Sequence, residues 1–189
     1  MTKQITFTIG ARGLQHKGWQ GSFYPDDMPE EWRLEFYAHE FHSLLLPTTE
    51  FPDAATWQEW RDIPDERFNL FIELPEGCPD DMLLMLKSER MVKGLIKQGA
   101  SEFATGGVLS RDIEQDLPGI KDNPAITRLI YIVKHAAGQP LDLKAWKERL
   151  LALVDVLPDE AALDIIIEGE PPSIEAMRQL VILVELMGW

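Results

Sequence analysis

At 189 residues with 45% apolar side chains, the chain is long enough to fill one sizeable core and too apolar for disorder. Its 32 acidic residues against 18 Lys and Arg leave a formal charge of −14, which disfavours nucleic acid and anionic membrane as partners. Cys78 is the only cysteine, which rules out an internal disulfide and a cysteine-based zinc site. The N-terminus enters a strand directly, without the charged start and apolar stretch of a signal peptide. The longest apolar run of the C-terminal segment, Leu180 to Val184, is too short to span a bilayer, so a cytoplasmic protein is expected.

Apolar residues alternate at Ile5, Phe7 and Ile9, the period of a half-buried strand. Gly10, Gly13, Gly18 and Gly21 follow, interleaved with Trp19, Phe23 and Tyr24, and this composition predicts a shaped, packed loop at the end of a first strand. Asp26 to Glu31, with Pro29 among acids, reads as a helix entry, and Trp32, Phe36, Tyr37 and Phe41 supply an apolar face. A second strand is expected over Ser43 to Thr48, a helix capped by Asp53 carries Trp57 and Trp60, and a third strand covers Phe68 to Pro75.

Asp80 to Gln98 reads as one amphipathic helix with Met82, Leu83, Leu86, Met91 and Leu95 on its stripe. Lys87, Arg90, Lys93 and Lys97 then form a solvated basic face. Gly99 to Pro124, with Gly106-Gly107, a Ser110-capped piece and Pro118-Gly119, reads as an irregular excursion. Ile126 to Val133 is the fourth strand, Asp142 caps a helix from Leu143 to Leu157, and Leu163 to Glu168 is the fifth strand. Ser173 caps the last helix, and Gly188 stands where a C-terminal glycine belongs.

Strands alternating with helices indicate parallel βα units. The glycine–aromatic block is more specific. Gly10-x-x-Gly13 followed by Gly18-Trp19-x-Gly21-x-Phe23-Tyr24-Pro25, and then Tyr37-Ala38 and Phe41, resembles the opening signature of the YecE-like family, a widespread family of unknown function. The resemblance implies a TIM-barrel-type fold. Against the eight βα units of such a barrel, this chain supplies about five. The expected architecture is therefore one shortened domain over residues 1–189, an incomplete TIM-type β/α barrel of about five parallel strands with outer helices. Leu14 and His16 stand where the family has Trp and Tyr, and Leu45 and Pro47 where it has Glu and Asn. Glu73 stands at a family Lys, and Glu170 and Pro171 at a family Arg and His, whereas Thr49, Glu168, Pro172 and Ser173 match. The shaping residues persist while several polar ones do not, and a Lys-to-Glu exchange cannot serve the same anion.

In a β/α barrel the chemistry sits at the C-terminal ends of the strands. That rule makes Arg12, His16, Trp19, Tyr24 and Thr49 candidate ligand-binding residues, and Glu73, Glu168 and His135 candidate acid–base residues, with Arg12 as an anion clamp. Glu73 and Glu168 could form a carboxylate pair on adjacent strand ends. Such aromatic rings more often plug the barrel end as core, the reading favoured for Phe23, with Trp19 open to either. His39 and His42 are three apart rather than four, and a third ligand is missing, so neither metal nor cofactor is expected. Ser22, Ser43 and Ser110 lack a nucleophile-elbow context, and Gly106-Gly107 lacks the Lys of a phosphate loop.

These readings favour a catalytically degenerate binding or assembly protein, the alternative being an enzyme acting on a small ligand at the strand ends. A barrel of five units leaves sheet edges open. The last helix is apolar around a whole turn at Leu180 to Val184, so a homodimer through that helix or the open edge is expected.

Overall fold

Six parallel strands, in the order β4 (Val92–Lys97), β3 (Asn69–Leu74), β2 (Ser43–Leu46), β1 (Gln4–Arg12), β8 (Glu160–Glu168) and β7 (Arg128–Lys134), form a curled half-barrel sheet, which β6 (Gly107–Ser110) and β5 (Glu102–Phe103) extend at the β7 side. The structure, a computed structural model, describes residues 3–61, 67–97, 102–103, 107–110, 120 and 126–189. β6 runs parallel to β7, and the short β5 runs antiparallel to β6. β5 also lies against β4, its neighbour in sequence, so the strand order turns back on itself.

The helices that alternate with these strands are α1 Arg33–Ala38, α2 Ala54–Trp60, α3 Asp80–Ser88, α4 Leu143–Val156 and α5 Ile174–Leu186. Three of them start where a side-chain cap is present. Asp53 accepts from the Thr56 N–H (2.9 Å), Asp142 from Ala145 (3.0 Å) and Ser173 from Ala176 (3.2 Å). Each bond satisfies a first-turn donor that the helix itself leaves open.

Strand alternation divides the side chains between two environments. On the outer face, Ile5, Ile9, Leu44, Leu70, Leu163, Ile165 and Ile167 join the helix residues Trp57, Trp146, Leu150, Met177 and Leu180 in one large core. On the inner face, Leu45, Phe71, Ile96, Ile130, Ile132 and Ile166 form a separate apolar plug. Register places polar residues on both sides of this plug. Thr8, Ser43, Asn69 and Asp164 lie toward the N-terminal ends of the strands, and Arg12, Glu73, Lys134 and Glu168 lie at the C-terminal ends. The interior is therefore layered as polar, apolar and polar, in the manner of barrel interiors filled by stacked side-chain layers.

Gly10 and Gly13 are backbone positions that require glycine. A Cβ on Gly10 would stand 1.7 Å from the Ser43 carbonyl oxygen, so only a bare backbone lets β1 approach β2 there. Gly13 has φ +87°, a left-handed conformation, and its turn directs the chain from β1 over the strand ends.

The five-strand expectation undercounts the sheet. The segment 80–98 is not one helix. α3 ends at Ser88 and the chain continues as β4, with a bulge near Leu70 and Phe71 of its partner β3. Lys87 alone of the expected basic face lies on the helix, and Lys93 and Lys97 belong to the strand. The segment 99–124 contributes β5 and β6. Residues 111–119, where a small Ser110-capped helical piece and Pro118-Gly119 are expected, lie outside the described residues. The other expected strands stand at their places, with β1 running on to Arg12 and β8 starting at Glu160.

Candidate functional site

At the C-terminal mouth of the half-barrel a cleft of about 480 Å³ is lined by Arg12, His16, Thr49, Glu50, Lys134, His135 and Glu168, among others. Arg12 is the last residue of β1. Its guanidinium donates from Nε to Glu73 Oε1 (3.0 Å) and from Nη2 to Glu73 Oε2 (2.7 Å), a two-pronged pairing, while Nη1 stands 3.5 Å from Glu168 Oε1. The hydrogen bond to Glu73 raises the Arg12 pKa above its ordinary value against the opposing pull of burial, and the charges of Glu73, Glu168 and Glu50 add to the rise. Glu73 is on β3 and Glu168 on β8, with β2 and β1 between them. The two carboxylates are thus not a pair on adjacent strand ends; they meet through the cation between them.

The loop after β1 is held by the same mouth. Glu50 Oε2 accepts from the backbone N–H of Leu14 (2.6 Å) and of Gln15 (3.2 Å), and the Gly13 N–H donates to the Leu45 carbonyl (2.8 Å). A Cβ on Gly13 would stand 2.9 Å from both Glu50 Oε1 and His16 Nε2, so glycine is needed for space as well as for φ. His16 Nε2 lies 2.9 Å from the Arg12 carbonyl oxygen. Thr49 is exposed at the rim. Lys134 and Glu168 are register partners, which fixes the end of β7, and the His135 N–H donates to the Glu168 carbonyl (2.8 Å). His135 Nε2 turns toward the Gln139 carbonyl (3.0 Å).

Trp19 and Tyr24 do not line the cleft. Each is only 1% exposed, in a cluster with Phe23, Tyr37 and Phe41 under the loop. The Trp19 indole N–H donates to the Pro172 carbonyl (3.0 Å) and the Tyr24 hydroxyl to the Leu14 carbonyl (3.2 Å). Both polar tips are satisfied inside the protein, as buried aromatic residues with a polar tip require. The structure places these two residues, expected at the ligand, in the core instead of on the cleft. Burial raises the Tyr24 and Tyr37 pKa values, which keeps both hydroxyls neutral. The Tyr37 hydroxyl accepts from the Ala11 N–H (2.7 Å) and donates to the Ser43 carbonyl (2.8 Å), bridging β1 and β2. His39 lies exposed with Nδ1 2.7 Å from the Glu35 carbonyl, and among the described residues no group of three His, Cys, Asp or Glu is placed to hold a metal.

Sequence reasoning missed the polar layer at the opposite end. Asp164 is 1% exposed in the middle of β8. Its Oδ1 accepts from the Thr8 hydroxyl, Asn69 Nδ2 (3.1 Å) and, at longer range, Ser43 Oγ (3.4 Å), and its Oδ2 accepts from Arg128 Nη1 (2.6 Å). Burial raises the Asp164 pKa, opposed by Arg128 and by the hydrogen bonds from Thr8 and Asn69. The available signal was a lone acid inside the run Leu163 to Ile167, at an inward position.

No helix among the described residues is long and apolar enough to cross a membrane. No curated protein matches the chain. In structure the chain is similar to a DUF72 family protein, TM1631, from Thermotoga maritima MSB8, at 12% identity and a TM-score of 0.62, over 97% of this chain and 100% of that one. That likeness carries the fold, and it runs the whole length of the solved chain. The model for "Protein of unknown function DUF72" matches residues 8–105, a stretch that takes in the β1 loop, the Arg12–Glu73 pair and β4. With more than half of its length matched by this model, the chain belongs to the DUF72 family.

Proposed function

We propose that this protein is a catalytically degenerate, YecE-like member of its family that acts in the cytoplasm by binding and assembly rather than by turning over a substrate. One observation carries this reading: at the C-terminal mouth Arg12, Glu73, Glu168 and Glu50 are engaged with one another or with the loop. Glu73 has both oxygens on one guanidinium, Arg12 has three of its nitrogens facing carboxylates, and Glu50 holds two backbone N–H groups. A general acid or base must reach the substrate's proton, and a carboxylate with both oxygens on an arginine fork directs its lone pairs elsewhere. A clamp for an anion likewise needs an arginine whose fork is open to it.

Assembly is supported by α5. Its inner face packs Met177, Leu180 and Val184 on the sheet, while Ile182 is 54% exposed and Leu186 81% exposed on the outside. A homodimer through this face covers them. The single thiol, Cys78, suits a reducing compartment.

The test is a thermal-shift panel of sugars, phosphates and nucleotides on wild type and Glu168→Gln, together with light scattering. The reading expects no ligand shift that depends on Glu168, a dimer mass for wild type, and a monomer mass for Ile182→Lys. A shift abolished by Glu168→Gln and kept in a surface control supports an enzyme or small-ligand site at this mouth instead. A monomeric wild type removes the dimer.

A further inference from the structure

The geometry points to a second site, at the N-terminal mouth of the half-barrel, that binds the phosphate or carboxylate group of a small oxyanion through Arg128. A cleft of about 620 Å³ opens there, lined by Arg128, Arg67, Lys93, His42, Asn69 and Thr6, among others. The inference is independent of the reading given for the opposite mouth.

Arg128 is built as a clamp. Its Nη1 is anchored on the buried Asp164 (2.6 Å), and its guanidinium carbon sits 5.6 Å from the centre of the Phe71 ring, which forms a platform beneath it. Its side chain keeps 21% exposure at the cleft. Among the described residues, Nε and Nη2 have no acceptor. A planar fork held at one edge and open at the other matches the two oxygens of a phosphate or carboxylate.

Packing alone does not call for this arrangement. A buried ion pair gives a fold little that apolar side chains would not, and the layer directly above is filled by Leu45, Phe71, Ile130 and Ile166. Asp164 nevertheless gathers Thr8, Asn69 and Ser43 around its other oxygen, which fixes the carboxylate and, through it, the guanidinium.

Charge at the cleft runs against the protein as a whole. Two acids line it, Glu40 and Glu185, and Glu40 is paired with Arg178. Three cations, Arg67, Lys93 and Arg128, line it with them, on a chain whose formal charge is −14. A local positive site in a negative field selects small anions over polyanions, which the rest of the surface repels.

The experiment is calorimetric and NMR titration of the whole chain at low salt with inorganic phosphate and, separately, citrate. Saturable binding is expected, weakened about tenfold or more in Arg128→Gln, weakened severalfold in Lys93→Gln, and unchanged in Lys147→Gln on the exposed side of α4. Amide shifts should centre on β1, β3 and β7 at their N-terminal ends. Either order of affinity between the two probes keeps the oxyanion class, and the order names the group. Should Arg128→Gln fail to fold by circular dichroism, Arg67→Gln and Lys93→Gln decide. The inference is overturned if wild type binds neither probe saturably at about 10 mM, far weaker than the millimolar scale of a weak site. It is also overturned if binding survives unchanged in the folded charge-removing variants.

Discussion

Replacing Arg12 by Met keeps the aliphatic stem and deletes the guanidinium, which strips Glu73 of two hydrogen bonds and Glu168 of its facing cation. The cost follows from how far the mouth is from water. The side chains of Arg12, Glu73 and Glu168 are 29%, 16% and 23% exposed. An exposed ion pair is worth about 0–1 kcal/mol, and breaking a fully buried one costs about 3–5 kcal/mol. The partial exposure here sets Arg12→Met at about 2 kcal/mol. Glu73→Gln removes the charge with little change of shape and should cost about 1–2 kcal/mol on the same scale. Because both variants delete the same interaction, the double variant should cost clearly less than their sum, with a coupling energy of about 1–2 kcal/mol. Urea unfolding at neutral pH measures all four proteins, with an unchanged m-value as the condition for reading midpoints as stability. Coupling within about 0.3 kcal/mol of zero would refute the reasoning, since it would mean that the fork does not hold Glu73 in solution.

Trp19→Ala should cost about 3–5 kcal/mol, because the ring is buried and its N–H bonded; a loss within the error of a denaturation curve would place it in solvent. Tyr37→Phe leaves the Ala11 N–H and the Ser43 carbonyl without their shared partner in the core, for a loss of about 1–3 kcal/mol in urea unfolding; an unchanged midpoint would mean that the bridge is absent. Asp164 has a folded-state pKa above its unfolded value, so its contribution to stability is fully present below the unfolded pKa and is lost as pH rises through the folded one. The stability of wild type minus that of Asp164→Asn should therefore fall as pH rises from about 4, the ordinary aspartate range, and a difference that rises or stays flat would contradict the raised value.

How much of this could be read from the chain depended on whether the cause was local. The alternation at Ile5, Phe7 and Ile9 marks β1, and Asp53, Asp142 and Ser173 mark helix starts, because a pleat and a cap are decided within a few residues. β4 was hidden because Met91 and Leu95 continue the helical spacing of Leu83 and Leu86, and a short apolar run satisfies either period. Gly94, pairing with Phe71 in the middle of that run, was the local hint of a strand. The candidate site was legible as a set of strand ends but not as a network. Arg12, His16, Thr49, His135 and Glu168 do meet at one cleft. That Arg12 stands between Glu73 and Glu168 follows from the strand order, which places β1 and β2 between β3 and β8 and which no local pattern encodes. Trp19 and Tyr24 went inward for a related reason. Their partners, the Pro172 carbonyl far along the chain and the Leu14 carbonyl across a tight loop, exist only after folding.

Whether Arg12 is held by the protein or offered to a ligand is read directly by the side-chain NMR signal of its Nε–H group. The bonded fork predicts a slowly exchanging Arg12 Nε–H resonance that moves in Glu73→Gln and stays in place on adding phosphates, sugars or nucleotides. A resonance that ignores Glu73→Gln and shifts saturably with one of those ligands would contradict it and make Arg12 a binding residue.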